Sequence, residues 1–208
     1  MQLRFATNLT NEQYISQEAW RNATLELCPL HGGSGCGFRS HGSYERKSPG
    51  GFRVGRFYCR KGHTTFSLLP DFAAARLSGT LAEVEQAVEC AQEALTLTAA
   101  AVTLRPELND ARSAVRWLRR RLRAIEGSLV ALVTSLPELF GTAPCLSAMR
   151  ERLAVIGPNL LLRLRAQGDR ILHCLQAPLG FSRCRQGSRV GESQRQHKVG
   201  PDPGDGCG

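Results

Sequence analysis

Cys28-Pro29-Leu30-His31 and Cys59-Arg60-Lys61-Gly62-His63 are the two stretches on which the reading of this chain turns. Each sets two metal-ligand types within a few residues of one another. Such spacing lets a tight backbone knuckle grip a tetrahedral ion from one side, and two knuckles close a structural site. Between them, Ser48-Pro49-Gly50-Gly51 is a turn signal. Strand-like pieces at 38–44 and 52–58 flank it, so a hairpin would carry the second pair back to the first. With Cys28, His31, Cys59 and His63 as ligands, no position stays open for a substrate water, which marks a structural zinc rather than a catalytic one. Cys36 is the alternate ligand: in place of His31 it gives a Cys3His set. A region as small as 28–70 lacks an apolar core of its own, so the ion would supply much of its folding energy.

Outward from the ribbon, the chain has 208 residues and a net charge of +9, from 27 Lys and Arg against 18 Asp and Glu. That excess favours polyanionic partners, duplex DNA first. Within the ribbon, Arg39, Arg46, Lys47, Arg53 and Arg56 are candidate phosphate contacts. The aromatics between them, Tyr44, Phe52, Phe57 and Tyr58, either stack on bases or fill a small core; the core is the favoured reading.

The residues Cys28-Pro29-x-His31, Gly42, Arg56-Phe57-Tyr58-Cys59 and His63-Thr64-Thr65-Phe66-Ser67 together resemble the N-terminal zinc ribbon of insertion-sequence transposases. Those ribbons carry Cys at the second and fourth ligand positions, where this chain has His, and a last knuckle one residue shorter. The run at 63–72 is also similar to an uncharacterised group of small proteins that travel with mobile elements. The resemblance implies DNA binding in mobile-element biology, a transposase or integrase as partner, and a bacterial cytoplasmic setting, nucleoid-associated when bound to DNA.

Beyond the ribbon the composition turns to Ala, Leu, Glu and Arg at helical spacing. Thr80-Leu81-Ala82-Glu83 is a capping box that starts a helix reaching the high nineties, with 71–77 a short helix before it. A longer helix spans about 107–136, bounded by Pro106 and Pro137. Its apolar residues, from Leu108 through Leu118, Ile125 and Leu129 to Leu136, recur at three-four spacing. They form either an intramolecular seam, the favoured reading, or a homodimer interface. Arg112, Arg116, Arg119, Arg120 and Arg123 crowd the same helix and form its candidate DNA face. Arg116-Trp117-Leu118-Arg119-Arg120 resembles the end of a helix-turn-helix recognition helix in transposase-like proteins.

The expected fold is therefore mainly α: a helical bundle or long helical hairpin behind a small zinc-ribbon hairpin. Its parts are a weakly structured lead-in at 1–27, the ribbon at 28–70, a helical domain at 71–176 and a disordered basic tail at 178–208. Cys90, Cys145 and Cys174 read as buried thiols, and Cys207 as a free one. His173-Cys174 with Cys184 has poor spacing for a second metal site, which is rejected. No signal peptide and no membrane-spanning run is read. No phosphate loop, nucleophile–base signature or carboxylate triad points to catalysis. The expected role is a non-catalytic, zinc-stabilised DNA-binding accessory or regulatory protein of a mobile element. The alternative is a protein–protein adaptor that docks through the ribbon and dimerises through the long helix.

Overall fold

The computed structural model describes residues 1–33, 35–157 and 159–182. Its N-terminal half is built on a mixed four-stranded sheet in the order β1-β4-β3-β2, from β1 (Gln2–Phe5), β2 (Phe38–Glu45), β3 (Arg53–Cys59) and β4 (Thr64–Pro70). β2 and β3 are the expected antiparallel hairpin, and β3 and β4 pair antiparallel in turn. β1 joins β4 in parallel, Gln2 opposite Ser67 and Phe5 opposite Pro70. A mainly α fold with only a hairpin attached is thus corrected to an α+β fold in which the sheet organises the first 80 residues.

The segment 1–27 is not a weak lead-in. After β1, Thr10 caps α1 (Asn11–Ser16) with a complete capping box, and a 3-10 turn follows at Ala19–Asn22. Tyr14 of α1 is fully buried and packs edge-on against Phe52 and Phe72.

Strand alternation sorts the sheet into two faces. Gly55, Phe57, Cys59, Phe66 and Leu68 are buried on one, beneath the chain that runs from the 3-10 turn to β2. Arg56, Tyr58, Thr65 and Ser67 are half-exposed on the other. Of the hairpin aromatics, Phe52 and Phe57 fill the core as expected and Tyr44 packs half-buried against it, whereas Tyr58 stays half-exposed outside it.

The helical half consists of α2 (Leu81–Glu93), α3 (Leu97–Leu104), α4 (Ala111–Ser135), α5 (Pro137–Phe140), α6 (Leu146–Arg152) and α7 (Leu160–Gln167). Thr80 and Glu83 form the expected capping box of α2. The single helix expected to run into the nineties is two helices, because Thr96 caps a new start by accepting from the Ala99 amide. Residues 71–77 are turns and an extended bridge rather than a helix. α4 begins four residues later than expected, since the Asp110 carboxylate, not Pro106, supplies the N-cap to the Arg112 and Ser113 amides. Its apolar seam is covered by this chain: Leu118 packs with Ala87, Ala100 and Ala101, and Ile125, Leu129 and Leu132 join α2 and α7 in one core.

The two halves are stitched together by buried polar groups. Arg165 of α7 is fully buried and donates to the carbonyls of Asp71, Ala73, Pro178 and Leu179. Its burial brings its pKa down to about 9, with Asp71 opposing that shift. The expected tail therefore starts too early at 178. Leu179 is fully buried, and Gly180 lies where an added Cβ would sit 2.3 Å from the Leu175 carbonyl oxygen. The rest of the tail, 183–208, with Cys184 and Cys207, lies outside the described residues. Cys90 and Cys145 are half-buried and Cys174 is exposed, so none of the three is the buried thiol expected. Among the described residues no helix is long and apolar enough to cross a membrane.

Candidate functional site

Three thiols and one imidazole meet over the buried sheet face: Cys28, His31, Cys36 and Cys59, with their ligand atoms all within 4.8 Å of one another. Two lie on a turn, held by the His31 and Gly32 amides donating to the Cys28 carbonyl at 3.1 and 2.8 Å. Cys36 comes from the irregular chain before β2, fixed by the Lys61 amide donating to its carbonyl at 3.0 Å. Cys59 ends β3 on the same face as Phe57, and the Gly62 amide donates to its sulfur at 3.2 Å. That last bond stabilises negative charge on sulfur, as an amide around a metal thiolate does.

The distances suit a tetrahedral ion. His31 Nδ1 lies 3.4 Å from Cys28 Sγ and 3.5 Å from Cys59 Sγ. With metal–sulfur bonds of about 2.3 Å and metal–nitrogen bonds of about 2.0 Å, a tetrahedral N···S edge is about 3.5 Å. The thiols are also tuned by their company. Burial pushes the Cys28 thiol up, but hydrogen bonding to His31, to the Leu30 backbone and to the thiols of Cys59 and Cys36 outweighs it and brings the pKa down to about 6. Cys36 is pushed up by burial and by the thiols of Cys28 and Cys59. A bound cation would take the thiols in their deprotonated form and release their protons.

Of the four expected ligands the structure brings together Cys28, His31 and Cys59, and adds Cys36. His31 and Cys36 are not alternatives; both belong to the cluster. His63 stands apart from it. It adopts a left-handed conformation (φ 43°) in the turn before β4. Its Nδ1 lies 3.4 Å from the Tyr58 hydroxyl, and Tyr58 belongs to the opposite sheet face from Cys59.

The candidate DNA residues divide in the same way. Arg46 is turned inward, donating to the carbonyls of Ala74 (3.1 Å) and Leu77 and lying over the Phe52 ring. Arg53 donates to Ser43 through its Nε at 3.0 Å. Arg56 lies 5.7 Å from the centre of the Tyr44 ring. Arg39 and Lys47 are exposed. On α4, Arg112, Arg116, Arg119, Arg120 and Arg123 are all exposed and together line a shallow surface groove. Among the described residues none of the five forms an ion pair, and the one carboxylate that lines the groove, Asp110, caps the helix. Arg121, by contrast, is drawn in to Ser78 and lies over the Trp117 ring at 3.8 Å.

Compared with family models, with curated proteins and with solved structures, the chain gives no match in any of the three.

Proposed function

We propose that this chain is a zinc-stabilised, non-catalytic DNA-binding protein that lays the arginine face of α4 along a duplex backbone. The observation that carries the reading is the set of five exposed α4 arginines, none of which forms an ion pair among the described residues. Arg112 to Arg123 spans twelve residues, about 16 Å of helix axis between the first and the last. Five like charges on so short a stretch repel one another and gain most from an array of phosphates.

Zinc is the ion that the donor set favours. Three thiolates and an imidazole in a tetrahedral arrangement match its softness and geometry, and four protein ligands leave no open position for a substrate. Its role is to pin the chain between the 3-10 turn and β2 onto the sheet. The mobile-element setting, with an accessory or regulatory task beside a transposase or integrase, rests on the ribbon resemblance alone.

The test is binding of a fluorescein-labelled 20-base-pair duplex, read by anisotropy across a salt series. Five phosphate contacts give a log–log salt slope near −4.5, at about −0.9 per contact. Arg116→Ala with Arg119→Ala should flatten it by about 1.8 units and weaken binding at low salt. An unchanged slope in the double variant would remove α4 from the interface.

A further inference from the structure

The half-exposed sheet face carries a second arrangement that duplex binding by α4 does not use. Arg39, Tyr58 and Arg56 lie on this face of the hairpin, Arg39 paired with Tyr58 across the strands. The exposed His41 ring sits beside Tyr58, with centroids 5.6 Å apart and planes inclined by 38°. Tyr44 receives the Arg56 guanidinium. Next to these rings is a groove of about 630 Å3, lined by Tyr44, Arg56, His63, Thr65, Ser67 and Arg76 among others. Among the described residues no carboxylate lines it. Neither Arg56 nor Arg76 forms an ion pair among the described residues.

We infer that this face binds single-stranded nucleic acid, with unpaired bases stacking on His41 and Tyr58 and backbone phosphates running along the groove past Arg56 and Arg76. The chemistry favours a single strand over a duplex for a geometric reason. A duplex offers base edges and phosphates, while its base faces are hidden in the stack. Aromatic rings on an open sheet face find partners only in bases that are already unstacked. The groove beside the rings adds cations and hydroxyls, the groups that follow a phosphodiester backbone. A two-ring platform takes two or three nucleotides. Deoxyribose and ribose strands share this chemistry, and the experiment separates them.

The experiment uses the full chain as purified with its metal. Fluorescein-labelled dT12, rU12 and the 20-base-pair duplex are titrated by anisotropy at one salt concentration. His41→Ala with Tyr58→Leu removes both rings while keeping an apolar group at the half-exposed strand position, and a thermal melt confirms that the variant folds. Loss of a stacked ring weakens binding by about 5- to 150-fold. The double variant should therefore lose at least tenfold in affinity for the strand it prefers, with duplex affinity changing less than twofold. Arg56→Gln should weaken the same strand by a larger factor than it weakens the duplex. A higher affinity for dT12 or for rU12 identifies the sugar.

Cross-linking by ultraviolet light, read by mass spectrometry, should place the nucleotide on the peptide that holds Tyr58. Absence of binding to both strands would overturn the inference. So would strand affinity indifferent to both ring substitutions but lost in Arg116→Ala/Arg119→Ala, or cross-links confined to α4. Failure of α4 to bind duplex would leave the strand measurement fully readable, so the two ideas fail separately.

Discussion

Replacing Cys36 by Ala and His63 by Ala should have opposite consequences, although spacing alone ranks His63 as the better ligand. Cys36 Sγ belongs to the group of four ligand atoms within 4.8 Å, whereas His63 is turned to Tyr58 on the other sheet face. Structural zinc sites hold their ion with about 10–16 kcal/mol at neutral pH. Shared over four ligands, that is about 2.5–4 kcal/mol each, or two to three orders of magnitude in affinity. Cys36→Ala should weaken zinc binding by about that factor, while His63→Ala should stay within about threefold. The assay is competition against a chromophoric chelator, beside elemental analysis of the purified proteins. Chelation should also lower the melting temperature of the parent and the His63 variant, and do much less to the Cys36 variant. Equal zinc loss in both variants, or a full equivalent held at parental affinity by Cys36→Ala, would refute the assignment.

Three further outcomes follow from the way the two halves are joined. Arg165→Met would leave the buried carbonyls of Asp71, Ala73 and Leu179 without this donor and the Pro178 carbonyl with the Ala75 amide, and urea unfolding should show a loss of about 3–5 kcal/mol. Glu85→Ala would strip the start of α7 of the carboxylate that accepts from the Leu160 and Leu161 amides at 3.2 and 3.0 Å, and would leave Arg150 with the Glu89 carboxylate and the Gly157 carbonyl. The expected cost is about 2–3 kcal/mol in the same assay. The Asp110 carboxyl is held below its usual range by the Ser113 hydroxyl and the Arg112 amide. A depressed folded pKa means that its stabilisation is present above the ordinary value of about 3.9 and is lost as pH falls through the folded value. Circular dichroism should thus show Asp110→Asn less helical than the parent at pH 7, with the gap closing under acid.

Where the fold was legible, the signal was local. The capping box at Thr80 and Glu83 and the turn at 48–51 each act over four residues, and each appears where the residues put it. What escaped was non-local. β1 is four residues long, and the strand it pairs with lies more than sixty residues away, so no periodicity in 1–27 could announce it. Arg165 looks like one more cation on an amphipathic helix. The carbonyls that let it be buried come from two distant stretches, Asp71 with Ala73 and the return of the chain at Pro178 and Leu179. The α2–α3 break was more accessible, because Thr96 has the residue type of an N-cap, but the apolar spacing ran straight through it.

The metal site shows where counting residues stops being enough. Knuckle spacing found three of the four clustered residues but says nothing of which way a side chain points. In Phe57-Tyr58-Cys59, successive side chains take opposite faces, so a ligand at 59 must be joined from the face of Phe57. The chain that covers that face is the one carrying Cys28, His31 and Cys36, whereas His63 goes to the face of Tyr58. The same alternation sets Tyr58 and Arg56 together on the open side, beside the His41 ring. One strand thus gives Cys59 to a cluster that could hold a metal ion on its inner face, and Arg56 and Tyr58 to the outer face on which the proposed nucleic-acid strand would lie.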